Sequence, residues 1–379
     1  VAARIAGTVR SPIGVKGGAL KHWHAVDLLS HSLVSLTSKL GLEPSSIDAV
    51  LSICGTATGE QALNVGRNAL EASGWPTSIP ATAMEGGAAT AFAALQYAQV
   101  LVESGGADVV IVAGVEQASK VPPGASIAPG FGKPFGPTVH SRLADLGGVS
   151  TPGEIATRLA QDYGISRADL DDWTLASRSR VGEFPGWIAP MANRPTGKAS
   201  NEIKSDELAD QSLDPGSFKP LFDDDGLLTA ANSARPCDGS AALLVVSERF
   251  ARRHQLVAPV EIVAIGLSGL GLGEASCGSQ TLLSLVKDRG LAISDLGALV
   301  VHEDTAVTPL AVGRDLGVTA DRTNPWGGAL ATGEARGASG VVVLGQLAEG
   351  LVSSGISIGA ALAAGSVGAV GASVFTQGS

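Results

Sequence analysis

The sequence predicts an α/β protein built from two similar halves, and three observations carry that reading. Apolar runs that end at glycine alternate with segments of helical length. With 50 Gly among 379 residues and only 4% aromatics, helices and sheets approach each other through small side chains rather than around large rings. Sliding the chain by 250 positions sets Ala88, Gln96, Ala98, Val102, Ser104 and Gly105 over Ala338, Gln346, Ala348, Val352, Ser354 and Gly355. Each copy is a glycine-rich turn leading into a small-residue helix.

Taken in order, DAVLSIC (48–54), DVVIVAG (108–114), AALLVVS (241–247), VEIVAIG (260–266) and ALVVHED (298–304) read as buried strands. Between the first two, ATAFAALQYAQVLVESG (89–105) is small and apolar nearly all round and closes on Gly105, the pattern of a buried helix. Residues 120–225 differ in character. They hold many of the prolines, the stretch PPGASIAPGFGKPFGP, and a charged helical segment, ISRADLDDWTLASRSRV, with Ser166 placed as its N-cap. They read as an excursion from the core with helices of its own.

Composition bounds the function. Hydrophobic residues make up 45% and charged residues 16%, enough to fill a large core and too apolar for extended disorder. A net charge of −10 with no basic stripe argues against nucleic acid as a partner. Cys54, Cys237 and Cys277 lie far apart with no C-x-x-C spacing, which predicts reduced thiols, no disulfide framework and no zinc site. The opening VAARIAGTVRSP lacks the pattern of a signal peptide, and no run approaches about 18 uninterrupted apolar residues. The expectation is a cytoplasmic protein with no membrane partner.

Several segments resemble the thiolase family: RSPIG (10–14), AGVEQAS (113–119), FDDDGLLTAANSARPCDGSAALLV (222–245) and, most closely, NPWGGALATGEARGASG (324–340). The last is similar to the family's glycine-rich histidine block in the form seen in trifunctional-enzyme β-subunits. Four motifs in the family's order span nearly the whole chain. The resemblance implies the thiolase fold, two βαβαβαββ halves in a five-layered α-β-α-β-α core with an inserted loop domain. It divides the chain into an N-terminal half (1–119), the loop domain (120–225), a return strand (226–248) and a C-terminal half (249–379). It also implies a coenzyme A thioester as ligand, no covalently bound cofactor, and a homodimer.

The family's chemistry uses a nucleophilic cysteine at a helix N-terminus, an activating histidine in the glycine-rich block and a second cysteine near the C-terminus. Matched position by position, this chain has Ala88 at the nucleophile, Glu334 at the histidine, and Gly365 or Ser366 at the second cysteine. His302, in HEDTA, falls where the family carries Asn or His beside an oxyanion-binding water, and can donate a hydrogen bond there. Asn324, Gly327 and Gly328 remain from the block and, with Arg336, are candidates for holding the CoA thioester.

Each candidate has a second reading. His302 follows a buried strand and could be a satisfied core histidine. Glu334 is a base or a carboxylate that merely replaced the histidine. Glu85, before Gly86–Gly87, is a turn or capping residue or takes part in catalysis. Arg336 pairs with Glu334, meets a CoA phosphate, or is a solvated surface residue. Cys237 and Cys277 lack a nearby base or a helix-N-terminus signature and do not read as nucleophiles.

The expected function is therefore a non-thiolytic binding or partner subunit that holds an acyl-CoA or related thioester. One alternative is an enzyme of non-covalent thioester chemistry, decarboxylation or retro-aldol cleavage, using His302 and Glu334. The other is an acetyl-CoA acyltransferase with an unrecognised nucleophile.

Overall fold

Apolar runs bounded by glycine do form strands in this chain, and the small-residue helices lie between them. The computed structural model describes residues 2–127, 130, 132, 134–145, 148, 150–182, 184–192, 202–209, 211–222, 226–365 and 368–378. In chain order the first elements are β1 (Ala3–Arg10), β2 (Gly14–Val15), α1 (Ala25–Leu40), β3 (Ala49–Cys54), α2 (Val65–Ala72), β4 (Ala81–Glu85), α3 (Ala88–Glu103) and β5 (Val109–Gln117). The excursion carries α4 (Pro137–Asp145), α5 (Pro152–Asp162), α6 (Arg167–Ser179), β6 (Met191–Ala192) and β7 (Glu202–Ile203). Then follow β8 (Cys237–Ser247), α7 (Glu248–His254), β9 (Val260–Gly269), α8 (Ser279–Asp288), β10 (Ala298–Val301) and α9 (Val307–Leu316). The chain closes with α10 (Ala329–Thr332), α11 (Arg336–Ser354), β11 (Ile358–Gly365) and β12 (Ala369–Gln377).

Strand pairing makes the duplication visible. In the N-terminal half β3 runs parallel to β4 and β5, β5 antiparallel to β8, and β8 antiparallel to β1. In the C-terminal half β10 runs parallel to β11, β11 antiparallel to β12, and β12 antiparallel to β9. The counterpart of β4 is reduced to one parallel bridge, Leu299 to Thr323. The halves join edge to edge through Arg4–Glu261 and Ile5–Val260 on β1 and β9.

Helices α3 and α11 lie between the two half-sheets, in a core cluster that draws on both, while α1 and α2 cover the N-terminal half and α8 and α9 the C-terminal half. That is the α-β-α-β-α layering. The offset of 250 is real at the helix ends: Gly105 and Gly355, both at positive φ, close the turns after α3 and α11. Small residues are required where these helices cross, because a Cβ on Gly340 would overlap the Ala88 carbonyl and lie 2.7 Å from the Ala91 methyl.

Local signals placed the excursion's helices. Ser166 caps α6 through a reciprocal capping box with Asp169, and Thr151 caps α5 in the same way with Glu154. Four strands depart from their predicted extents; DVVIVAG runs on to Gln117, paired along β8. ALVVHED stops being a strand at Val301, since Glu303 and Asp304 turn away to partners outside the sheet. AALLVVS begins earlier, at Cys237, because Asp238 and Ser240 find buried partners in Ser119 and Ser32. VEIVAIG runs on to Gly269, paired along β12.

Candidate active site

β10 ends in the middle of the molecule, and its last peptide delivers His302, whose backbone N–H still bonds the Leu362 carbonyl of β11. The peptide of Glu334, just before α11, is pinned by Arg235 O and Cys237 N. These two anchors bring the side chains together: His302 Nε2 lies 2.7 Å from Glu334 Oε2. Ser339, on the first turn of α11, donates from Oγ to the same oxygen at 2.9 Å. Glu334 Oε1 accepts no hydrogen bond from a described residue, and His302 Nδ1 likewise has no described partner.

Burial and charge act in opposite directions on this pair. Burial alone would push His302 down, but the charge and hydrogen bond of Glu334 outweigh it and hold the imidazole at about 9. In Glu334 burial favours the neutral acid. The charge and bond of His302, then Ser339 and Arg336, overcome that and keep the carboxyl below its ordinary value. At neutral pH the site therefore holds an imidazolium–carboxylate pair.

A second carboxylate, Glu303, builds the floor. It accepts from Trp173 Nε1 (2.9 Å), Ser177 Oγ (2.8 Å), Asn324 Nδ2 (2.8 Å) and the Leu330 N–H (3.1 Å), tying α6, β10 and α10 together. This network accounts for several residues expected to hold the thioester. Asn324 spends both amide hydrogens on Val301 O and Glu303 and takes the Val301 N–H on Oδ1, so it has no donor left for a ligand. Gly327, at φ 75°, lies where a Cβ would come within 2.6 Å of Ser177 O. Gly328 packs on the Glu303 carboxylate. Their glycine character serves packing against α6 and β10.

The remaining candidates separate. Ala88 opens α3, buried, with its carbonyl against Gly340. Arg336 is half-buried. Its stem runs across Gly55, whose Cβ would lie 3.0 Å from Cδ, and its Nε is 3.8 Å from where Gly87 would carry one; no ion pair joins it to Glu334. It faces a small apolar cleft between Glu334 and Glu116. Glu116, absent from the sequence reading, accepts from Gly55 N, Gly337 N and Gln61 Nε2. Glu85 ends β4 exposed. Gly365 ends β11, and Ser366 lies outside the described residues. All three thiols are free and buried. Burial, then Glu116 and Glu85, push Cys54 up to about 12, and burial raises Cys237 still further.

Among the described residues no group of three or more His, Cys, Asp or Glu side chains is placed to hold a metal ion, and no helix is long and apolar enough to cross a membrane.

Two family models match, the thiolase N-terminal domain over residues 3–249 and the thiolase C-terminal domain over 270–377. This chain belongs to the thiolase family. It is 31% identical to a β-ketoadipyl-CoA thiolase of Pseudomonas knackmussii over 362 residues, 89% of each chain. It is equally 31% identical to a 3-ketoacyl-CoA thiolase of Pectobacterium carotovorum over 373 residues, 94% of each. Among solved structures, human mitochondrial 3-ketoacyl-CoA thiolase superposes with a TM-score of 0.87 at 24% identity, covering 100% of this chain and 99% of that one. A Bacillus anthracis acetyl-CoA acetyltransferase does so with 0.87 at 25%, covering 99% and 98%. A further structure of the human protein is in complex with CoA.

These relatives overturn one expectation from the sequence. Proteins that match this thiolase-family chain along nearly its full length are named as catalysts, so the reading of a non-thiolytic binding or partner subunit falls. The reason it misled is physical: it weighed the family's three missing side chains and could not see that His302 and Glu334, 32 residues apart, form one charged pair.

Proposed function

We propose that this chain is an acyl-CoA enzyme that makes or breaks the C2–C3 bond of a 3-oxoacyl-CoA thioester. One observation carries the reading: an ion pair 2.7 Å long between buried His302 and half-buried Glu334, each with one polar atom that has no partner among the described residues, beside the crossing of α3 and α11. The names of the relatives support the substrate class.

The chemistry follows from the geometry. Breaking or making a C2–C3 bond passes through a thioester enolate, whose oxygen must be stabilised while a proton moves at carbon or at the attacking thiol. His302, held charged by Glu334, offers Nδ1–H to that oxygen. Glu334 Oε1 is the open acceptor for the proton, while Oε2 stays committed to His302 and Ser339. Incubating the protein with acetoacetyl-CoA, longer 3-oxoacyl-CoAs or 3-oxoadipyl-CoA in the presence of CoA tests the proposal. Cleavage is expected with at least one and should be lost in Glu334→Gln. No cleavage or condensation across that set overturns it.

We further propose that the enzyme works as a homodimer in the cytoplasm. β4 supports the first point: among the described residues it pairs with β3 alone, and no proline or lysine within it guards its other edge. Three free thiols support the second. Light scattering should give twice the 37.9 kDa chain mass.

A further inference from the structure

Beside the end of β10 lies a second, small cleft of about 30 Å³, lined in part by Asp304 and Gly365. Ile155, Ala156 and Leu159 of α5 wall it on one side, and Ala364 and Gly365 of β11 on the other. Gly365 brings no side chain, and among the described residues a Cβ there would meet the Ala369 carbonyl, at 3.4 Å. The acidic group in its interior is Asp304.

Asp304 is held asymmetrically. Oδ1 accepts from the Thr305 N–H at 2.8 Å and from Thr308 Oγ1 at 2.9 Å, whereas Oδ2 has no donor among the described residues. The charges that face it are those of His302 and Glu334, with Glu303 beside His302 in the same electrostatic cluster. Glu274 stands at the exposed rim of the cleft, turned to the Gly271 N–H. Apolar walls on one side and a carboxylate nearby both favour the protonated form. Burial pushes the Asp304 carboxyl up, against the pull of His302, Thr308 and Thr305.

We propose that Asp304 is the second proton-transfer group of this site, acting from the cleft beside Gly365 alongside His302 and Glu334. The inference rests on the C2–C3 reading. In the cleavage direction Glu334 Oε1 takes the proton of the attacking CoA thiol, and the S–C3 bond forms as the π pair of the C3 carbonyl moves onto its oxygen. That pair then re-forms C3=O as the C2–C3 bond breaks, the C2–C3 electron pair moving onto the thioester oxygen held by His302. Asp304 gives its proton to C2 as the thioester carbonyl re-forms and is left as a carboxylate. Return of the proton from Glu334 to Asp304 resets the site, so one proton leaves sulfur and one arrives at carbon.

Asp304→Asn is the direct test, since an amide oxygen keeps both bonds now made by Oδ1 and the fold can be checked by circular dichroism. Cleavage of the accepted 3-oxoacyl-CoA should fall about a hundredfold or more in kcat with KM little changed, and one limb of the pH–rate profile should disappear. Asp304→Glu should restore part of the rate. An infrared difference spectrum between wild type and Asp304→Asn, at about pH 5 where an ordinary Asp is ionised, supplies a readout independent of turnover. A protonated-carboxyl band that vanishes in the variant is expected. Absence of that band, or a variant with wild-type kcat and both pH limbs intact, overturns the role of Asp304. Should wild type cleave no thioester while the band is present and lost in the variant, the C2–C3 reading fails and the protonated acid stands.

Discussion

Helix α3 begins at Ala88 behind Gly86 and Gly87 and carries no ionisable side chain in its first turn. Helix α11 begins at Arg336, two residues after Glu334, and presents Ser339. The duplication makes these two helix starts equivalent, and they touch at Ala88 and Gly340. Their chemistry has nevertheless gone to one side. The N-terminal half supplies a close-packed backbone surface, and the C-terminal half supplies the charged pair together with the Glu303 network that fixes β10 and α10. A duplicated scaffold can thus concentrate its proton chemistry in one copy while the other preserves the geometry of the crossing.

That contrast can be broken at its strongest point first. Replacing Glu334 by Gln or His302 by Ala should cost about 10² to 10⁴ in turnover, measured as kcat on the accepted thioester, because the first removes the proton acceptor and the second the donor to the enolate oxygen. Glu85→Gln, in the N-terminal half and exposed, should stay within about twofold. Equal losses in the two halves would erase the distinction.

Next in size is the crossing itself. Gly340→Val drives a side chain into the Ala88 carbonyl and the Ala91 methyl, and should destabilise the protein by about 3 kcal/mol in chemical denaturation. Glu303→Gln should cost about 2 kcal/mol, since an amide group would turn a donor toward the donors of Trp173, Ser177, Asn324 and Leu330.

The smallest effect is a pH signature. The His302 proton is held up at about 9 against 6.5 unperturbed, so its contribution to stability is complete below 6.5 and is lost as pH rises through 9. The Glu334 carboxyl is held below its ordinary 4.5, so its contribution is present above that value and is lost as pH falls through its folded value. The coupling between His302→Ala and Glu334→Gln in a double-mutant cycle should therefore be greatest from 4.5 to 6.5 and fade toward alkaline pH.

Much of the architecture was legible in the residues. Glycine-bounded apolar runs gave β3 and β5, Ser166 marked the start of α6, and the offset of 250 located both central helices. β1 was not, because Arg4 and Thr8 interrupt its apolar run and its burial comes from lying between β8 and β9. The site was legible as parts. His302 and Glu334 each stood out by motif, but their pairing depends on β10 and the turn before α11 meeting in space. Asp304 and Ser339 were in quoted motifs without being singled out. The run His302, Glu303, Asp304 at the end of an apolar strand was the available signal, since three polar groups in succession there must each find a partner or a cavity. Asn324 and Gly328 show the converse error, a motif residue whose side chain or glycine character is consumed by packing and internal hydrogen bonds.

The most direct measurement of the central claim is exchange of the C2 hydrogens of acetyl-CoA with deuterated solvent, followed by mass spectrometry on wild type and His302→Ala. Because His302 holds the enolate oxygen, wild type should incorporate deuterium and the variant none above the solvent background. Equal incorporation by both proteins, or an acyl adduct on Cys54, Cys237 or Cys277 that turns over with CoA while Glu334→Gln remains fully active, would contradict it.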